Sequence, residues 1–109
     1  MKKSKSIVKS AELEHVGGGI WRQIMGYGED IMLVKVQFEK GAVANAHKHI
    51  HSQSTYIVSG KFEIDMEGEK AIIQEGDGFF VAPNLLHGLV CLEAGTLIDT
   101  FSPMREDFI

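Results

Sequence analysis

Residues 47–60 read HKHIHSQSTYIVSG, and the conformation of this stretch decides the rest of the chain. Three of the five histidines fall here at every second position, with Gln53 two residues after the last. In a β-strand alternate side chains share a face, so His47, His49, His51 and Gln53 would point the same way. On a helix His47 and His51 would pair at i, i+4, as in zinc proteases, but no glutamate follows the first histidine, and the segment runs straight into TYIVSG. The strand reading is the better one. Two neutral imidazoles at i, i+2 on a strand can chelate one ion. For the HxH pattern alone, a solvated strand face that merely tolerates histidine is an equally good reading.

Outward from this stretch the pattern is strand-like in both directions. Glycine-centred turn signals recur at short intervals: GGG at 17–19, then GYGED, EKG, SGK, EGEK, EGDG and EAG. Between them lie runs rich in β-branched and aromatic residues: EDIMLVKVQFE, TYIVSGKFEIDME, KAIIQ, GFFVA, HGLVCLE and TLIDTF. Evenly spaced short strands with glycine turns indicate an all-β sandwich or barrel. In EDIMLVKVQF, Met32, Val34, Val36 and Phe38 fall on one face while Lys35 and Gln37 fall on the other, the period of a half-buried strand. The one stretch compatible with a helix, a brief one, is SAELEHV at 10–16. Pro83 and Pro103 both follow strand-like runs, where they end pairing without costing a ladder bond.

The bulk properties set limits. A chain of 109 residues, 44% hydrophobic and 24% charged, is one globular domain. Its formal net charge of -4 argues against a nucleic-acid partner. The basic start, MKKSKSIVKS, lacks the apolar stretch of a secretory signal and reads as a solvated tail. No apolar run reaches transmembrane length, so no membrane is expected. Cys91 is the single cysteine, which rules out an internal disulfide and fits a reducing cytoplasm. Within LHGLVCLE it reads as a small buried hydrophobe. His15, isolated in ELEHV, receives no function.

The histidine stretch has a longer frame. Gly41, five residues, His47-x-His49, three residues, Gln53, six residues and Gly60 resembles the first cupin motif, with glutamine where the family usually has glutamate. GDGFFVAPNLLHG resembles the second motif: Ala82 stands for its common proline, Asn84 for its glycine, His87 for its closing histidine and Cys91 for its terminal asparagine. The resemblance implies a single-domain cupin, a double-stranded β-helix or jelly-roll-like barrel, over residues 21–109. Residues 1–20 would be an N-terminal extension serving as a swapped or docking strand. It further implies that His47, His49, Gln53 and His87 converge on one divalent transition metal per chain, Zn, Ni, Mn or Fe. His51 has no counterpart among those ligands and is expected at the mouth or surface. Three imidazoles and an amide leave the ion its full charge for polarising a substrate oxygen, while the amide is a poor base, so another residue must move protons.

The C-terminal segment TLIDTFSPMREDFI offers one. Leu97, Asp99 and Phe101 share a face, and a carboxylate between two apolar residues must find a partner or titrate upward. Arg105 follows after a proline turn. An edge-strand charge and a solvated tail account for the same residues. The runs GYGEDIMLVKVQFEKGAVANAHKH, VAPNLLHG and LEAGTLIDTFSPMREDF, however, resemble the pectin-degradation cupins that ketonise unsaturated uronates, from about Trp21 to the last residue. In that family glutamine is a known fourth ligand, and the residues matching Asp99, Phe101 and Arg105 are implicated in catalysis and substrate handling. Ala82 and Leu86 depart from its proline-rich loop, which is expected to loosen the segment before His87. The implied activity is non-redox conversion of a 4,5-unsaturated monouronate, a small carbohydrate-derived acid, to its linear keto form by a cytoplasmic homodimer. A cupin dioxygenase, another metal-dependent isomerase and a non-enzymatic small-molecule-binding cupin are the alternatives. Oxygen consumption would mark the first of these.

Overall fold

The computed structural model describes residues 4–109; Met1, Lys2 and Lys3, the start of the 1–20 extension, lie outside the described residues. Among the described residues eight strands form in chain order: β1 (Glu14–Gly17), β2 (Ile20–Gly28), β3 (Ile31–Phe38), β4 (Val43–His47), β5 (Ser52–Met66), β6 (Glu69–Gln74), β7 (Gly78–Val81) and β8 (His87–Ser102). A 3-10 turn at Glu106–Phe108 closes the chain. All pairings are antiparallel, in the order β1-β2-β3-β8-β5-β6, with β4 also on β8 and β7 also on β5. This is the expected all-β jelly-roll barrel.

The alternation in β3 does what its period requires. Met32, Val34, Val36 and Phe38 are buried, while Ile31, just before them, and Leu33, among them, face out. Their inner face joins Ile57, Phe62, Cys91, Leu97, Phe101 and Met104 in one core cluster, where Phe38 meets Phe62 edge-on at 5.2 Å. Cys91 is buried there with its thiol against the Glu93 carbonyl at 3.1 Å, and burial pushes its pKa up.

Two turn signals become corners instead of hairpins. HGLVCLE and TLIDTF form one strand, β8, that passes through EAG without a break, and β5 passes likewise through SGK. The two strands stay paired across the corner, with register shifts between Ile57 and Phe62. Gly60 and Gly95 touch there: a Cβ on Gly60 would lie 2.6 Å from the Gly95 Cα, and Gly60 has a φ of +85°. Only glycine allows that approach together with that backbone. The bend turns the half of each strand paired with β3 and β7 over the half paired with β4 and β6, enclosing the core.

No helix forms at SAELEHV. Ser10–Leu13 carry no regular structure, and Glu14, His15 and Val16 belong to β1. Seven residues are too few to hold a helix against a neighbouring sheet edge; β1 pairs instead with β2 of its own chain, and His15 stacks on Trp21 at 4.1 Å. Lys5 bridges to Tyr27 on the far end of β2.

Candidate metal centre

The three histidines of HKHIH do not share a strand. β4 ends at His47, β5 starts at Ser52, and residues 48–51 connect them. The ladder stops because its acceptors are engaged elsewhere: the His49 carbonyl accepts from Asn84 N–H at 2.7 Å, and the His51 carbonyl faces His49 Nδ1 at 3.0 Å. The cluster is therefore assembled by topology. His47 lies opposite His87 in the β4–β8 register, the connecting segment folds His49 back over both, and β5 carries Gln53 beneath. One ring nitrogen from each of His47, His49 and His87 lies within 4.8 Å of the others.

The hydrogen bonds fix which nitrogen that is. The Nδ1 atoms of His47, His49 and His87 face the main-chain carbonyls of Asn45, His51 and Leu85 at 2.9, 3.0 and 2.9 Å. A carbonyl only accepts, so each Nδ1 carries the proton and each Nε2 keeps its lone pair. Burial lowers the pKa of His49 and of His87, which favours the neutral, ligating form.

Gln53 stands beside the three imidazoles. Its Nε2 donates to Thr55 Oγ1 at 3.0 Å and to Asp99 Oδ1 at 3.1 Å, which fixes the amide and turns Oε1 to His49 Nε2 at 3.0 Å. Two electron pairs thus face each other with no proton between them. A shared cation resolves that arrangement, so these residues fit a divalent ion, and the mixed nitrogen and oxygen donors suit a transition metal.

Asp99 lies beside the ligands on β8, between buried Leu97 and Phe101, as its alternation requires. It accepts from Gln53 and, at 2.5 Å, from Thr55 Oγ1, its cross-strand neighbour on β5. Burial pushes its carboxyl up to about 6, against the opposing pull of the Thr55 and Gln53 bonds and the Arg105 charge. His47, Gln53, His87, Asp99, Phe101 and Arg105 all line one cavity of about 530 Å³. Arg105 rests over the rings of Phe101 and Phe108, at 4.9 and 4.3 Å, while Nε and Nη2 hold Asp107 at 3.0 and 2.8 Å. Phe101 meets His49 edge-on at 5.8 Å, so it separates the ligand set from the arginine.

His51 stands apart from the ligands. It is half-buried, its Nε2 donates to the Met104 carbonyl at 3.2 Å, and it ties the β4–β5 connection to the C-terminal segment. The loop before His87 is not loose. Asn84 adopts a φ of +63°, a left-handed conformation that asparagine tolerates where the motif has glycine. Leu86 N–H donates to Glu67 Oε1 at 3.0 Å and its carbonyl accepts from Glu67 N–H at 2.9 Å, so the β5–β6 turn replaces the missing prolines.

Four neighbours of the site were not singled out in the sequence: Thr55, which bonds Gln53 and Asp99, Arg22 and Phe108, which line the cavity, and Glu14, which pairs with Arg22. Thr55 follows Gln53 by two on one strand, which places it on the same face. Arg22 sits between Ile20 and Ile24, a charge on an apolar stripe, the oddity that singled out Asp99.

Among the described residues no helix is long and apolar enough to cross a membrane. Residues 34–100 match the Cupin domain family. The chain is 49% identical over 98 residues, covering 88% of it and 89% of the relative, to the pectin degradation protein KdgF of Dickeya dadantii (strain 3937). An RmlC-like cupin from Shewanella frigidimarina NCIMB 400, whose crystal structure is known, is 44% identical with a TM-score of 0.95 over the whole of both chains. KdgF from Halomonas sp. is 37% identical with a TM-score of 0.90, over 98% of this chain and 100% of that one. With the barrel, the two motifs and the three-imidazole mouth all in agreement, the chain belongs to the cupin family.

Proposed function

We propose that this cupin ketonises 4,5-unsaturated monouronates, opening the ring to the linear keto acid without redox change. One observation carries the reading: Asp99 is a cavity carboxyl linked through the Gln53 amide to the ligand set, yet its own oxygens remain outside that set. The likeness to two proteins named KdgF, one of them described as a pectin degradation protein, supports the same class of substrate.

His47, His49, Gln53 and His87 would hold one divalent ion, which supplies a Lewis acid for negative charge developing on substrate oxygens. Asp99 takes the proton from the anomeric hydroxyl as the bond from the anomeric carbon to the ring oxygen breaks. It then delivers that proton to the enol carbon, leaving an aldehyde and a ketone, so atoms balance and no oxidant enters. A carboxyl raised to about 6 suits both halves of that shuttle. Thr55 and Gln53 hold the carboxylate in place. Arg105 attracts the substrate carboxylate, and Phe101 shapes the wall between it and the ligands.

The reading extends to a cytoplasmic homodimer. Buried Cys91, with no disulfide partner, fits a reducing compartment. Leu33, Tyr56 and Phe80 are exposed by 41, 53 and 60% on the outer face of β3, β5 and β7, a surface a second copy would cover, with the N-terminal extension exchanged or docked. Light scattering is expected to give twice the chain mass, and a monomer removes that part.

The deciding experiment follows ultraviolet absorbance of lyase-generated unsaturated monouronate with metal-loaded protein. Loss well above the uncatalysed drift, without oxygen consumption, is the expected result. Loss at the drift rate discards the activity.

A further inference from the structure

Arg22 projects from β2 into the same cavity as the ligand set, from a wall otherwise apolar through Ile20, Val36 and Phe38. A guanidinium has five N–H donors and needs acceptors for those that leave water. Arg22 makes one hydrogen bond among the described residues, from Nη2 to Glu14 Oε2 at 3.1 Å. Its Nε is buried without an acceptor. The Phe108 ring lies 3.9 Å from its Cζ, which steadies the planar group but accepts no strong bond.

Arg105 offers the contrast. Its Nε and Nη2 edge is filled by both oxygens of Asp107, while the same Phe108 ring supports its Cζ at 4.3 Å. Two cationic groups thus flank one ring at the cavity wall, and the one with donors to spare is Arg22. Its resident partner, Glu14, is on the short strand β1, and its side chain is 36% exposed against 20% for Arg22. A pair held by a single bond engages only Nη2 and leaves the rest of the fork without a carboxylate among the described residues.

We propose that Arg22 is a substrate-anchoring residue: the part of its guanidinium that Glu14 leaves unpaired binds the carboxylate of an acidic ligand in the cavity, while Glu14, outside the cavity lining, holds Nη2. Phe108 supports the Arg22 guanidinium at the cavity wall, so Arg22 selects acids over neutral sugars. The ligand as an unsaturated uronate rests on the function proposed above; the selection for a carboxylate does not.

The test compares wild type, Arg22→Gln, Arg22→Lys and Glu14→Gln. Metal-loaded protein is assayed for KM and kcat on the unsaturated monouronate. Calorimetry measures binding of a saturated monouronate, which cannot react, and of its methyl ester. Arg22→Gln is expected to raise KM and weaken acid binding by about tenfold or more, with kcat within about threefold and ester binding unchanged. Glu14→Gln, which removes the negative charge beside Arg22, is expected to tighten acid binding. Should Arg22→Gln not fold, Arg22→Lys keeps the charge without the fork and is expected to weaken acid binding alone, by about threefold. Equal weakening of acid and ester, unchanged acid binding, or a wild type that binds neither overturns the anchor. Turnover that is insensitive to Arg22 overturns the anchor and leaves the activity standing. Acid binding through Arg22 without turnover overturns the activity and leaves the anchor.

Discussion

In the proposed reaction Asp99 would carry the proton, because it combines a buried position with two donors and, among the described residues, no counter-ion in direct contact. Asp99→Asn keeps an acceptor oxygen for Thr55 and Gln53 but cannot carry a proton, so turnover is expected to fall by about 10²–10⁴ with metal content unchanged. The same variant reports the burial cost. A carboxyl raised from 3.8 to about 6 binds more protons when folded than unfolded, so it lowers stability as pH rises through that window. Relative to wild type, metal-free Asp99→Asn is therefore expected to gain nothing below 3.8 and at most about 3 kcal/mol above 6, read by urea unfolding at pH 3.5 and about 7. Gln53→Glu places a second carboxylate where an amide donor now meets Asp99 at 3.1 Å. Like charge raises the Asp99 pKa further and the ion loses net charge, so turnover is expected to drop about tenfold or more with metal retained, its acid limb moving to higher pH. Strand period singled out Asp99 in TLIDTF as a carboxylate between two apolar residues, but an edge-strand charge fitted the same period, and only the longer resemblance favoured the inward position. Thr55 was not legible: threonine is ordinary in strands, and its role comes from the β5–β8 register, which pairs residues 44 apart.

At the scale of elements, the corner shared by β5 and β8 decides whether ligands from distant parts of the chain meet. A Cβ at Gly95 would lie 2.1 Å from the Ser59 carbonyl oxygen, a main-chain atom that has nowhere to go. Gly95→Ala is expected to cost about 3 kcal/mol or more, or to prevent folding, whereas Gly68→Ala, in a turn with no atom within 4 Å, pays only for its φ of +88°. Circular dichroism melting of the two variants checks the difference. The glycines of SGK and EAG were visible in the sequence, but a turn and a corner share one composition; the distinction depends on which backbone crosses at that point. The period in EDIMLVKVQF identified β3 because Lys35 and Gln37 alternate with Val34, Val36 and Phe38 and so fix the inner face. SAELEHV carried a helical pattern too short to compete with pairing to β2. HKHIH kept strand spacing while its carbonyls were engaged by Asn84 and by His49 itself, partners no local pattern reveals.

For the whole molecule, the four proposed donors come from β4, the β4–β5 connection, β5 and β8, so an ion bound there would tie the half of the sheet that carries His47 and His87 to the half that carries Gln53. Ligands that recognise the folded state alone raise its stability by mass action, about 4 kcal/mol at a thousandfold excess over Kd. Chelation is accordingly expected to lower Tm by on the order of 10 °C, reversed on adding a divalent ion, as read by calorimetry with metal analysis. His47, the most exposed of the three imidazoles, has a further consequence. An ion held beside so exposed a residue would be expected to leave and be replaced while every strand stays paired. Exchange then outpaces global opening, and occupancy follows the free concentrations of competing cations weighted by the Irving–Williams order. A preparation therefore carries the imprint of its growth medium and purification buffers, and which element it contains records supply before it records selectivity.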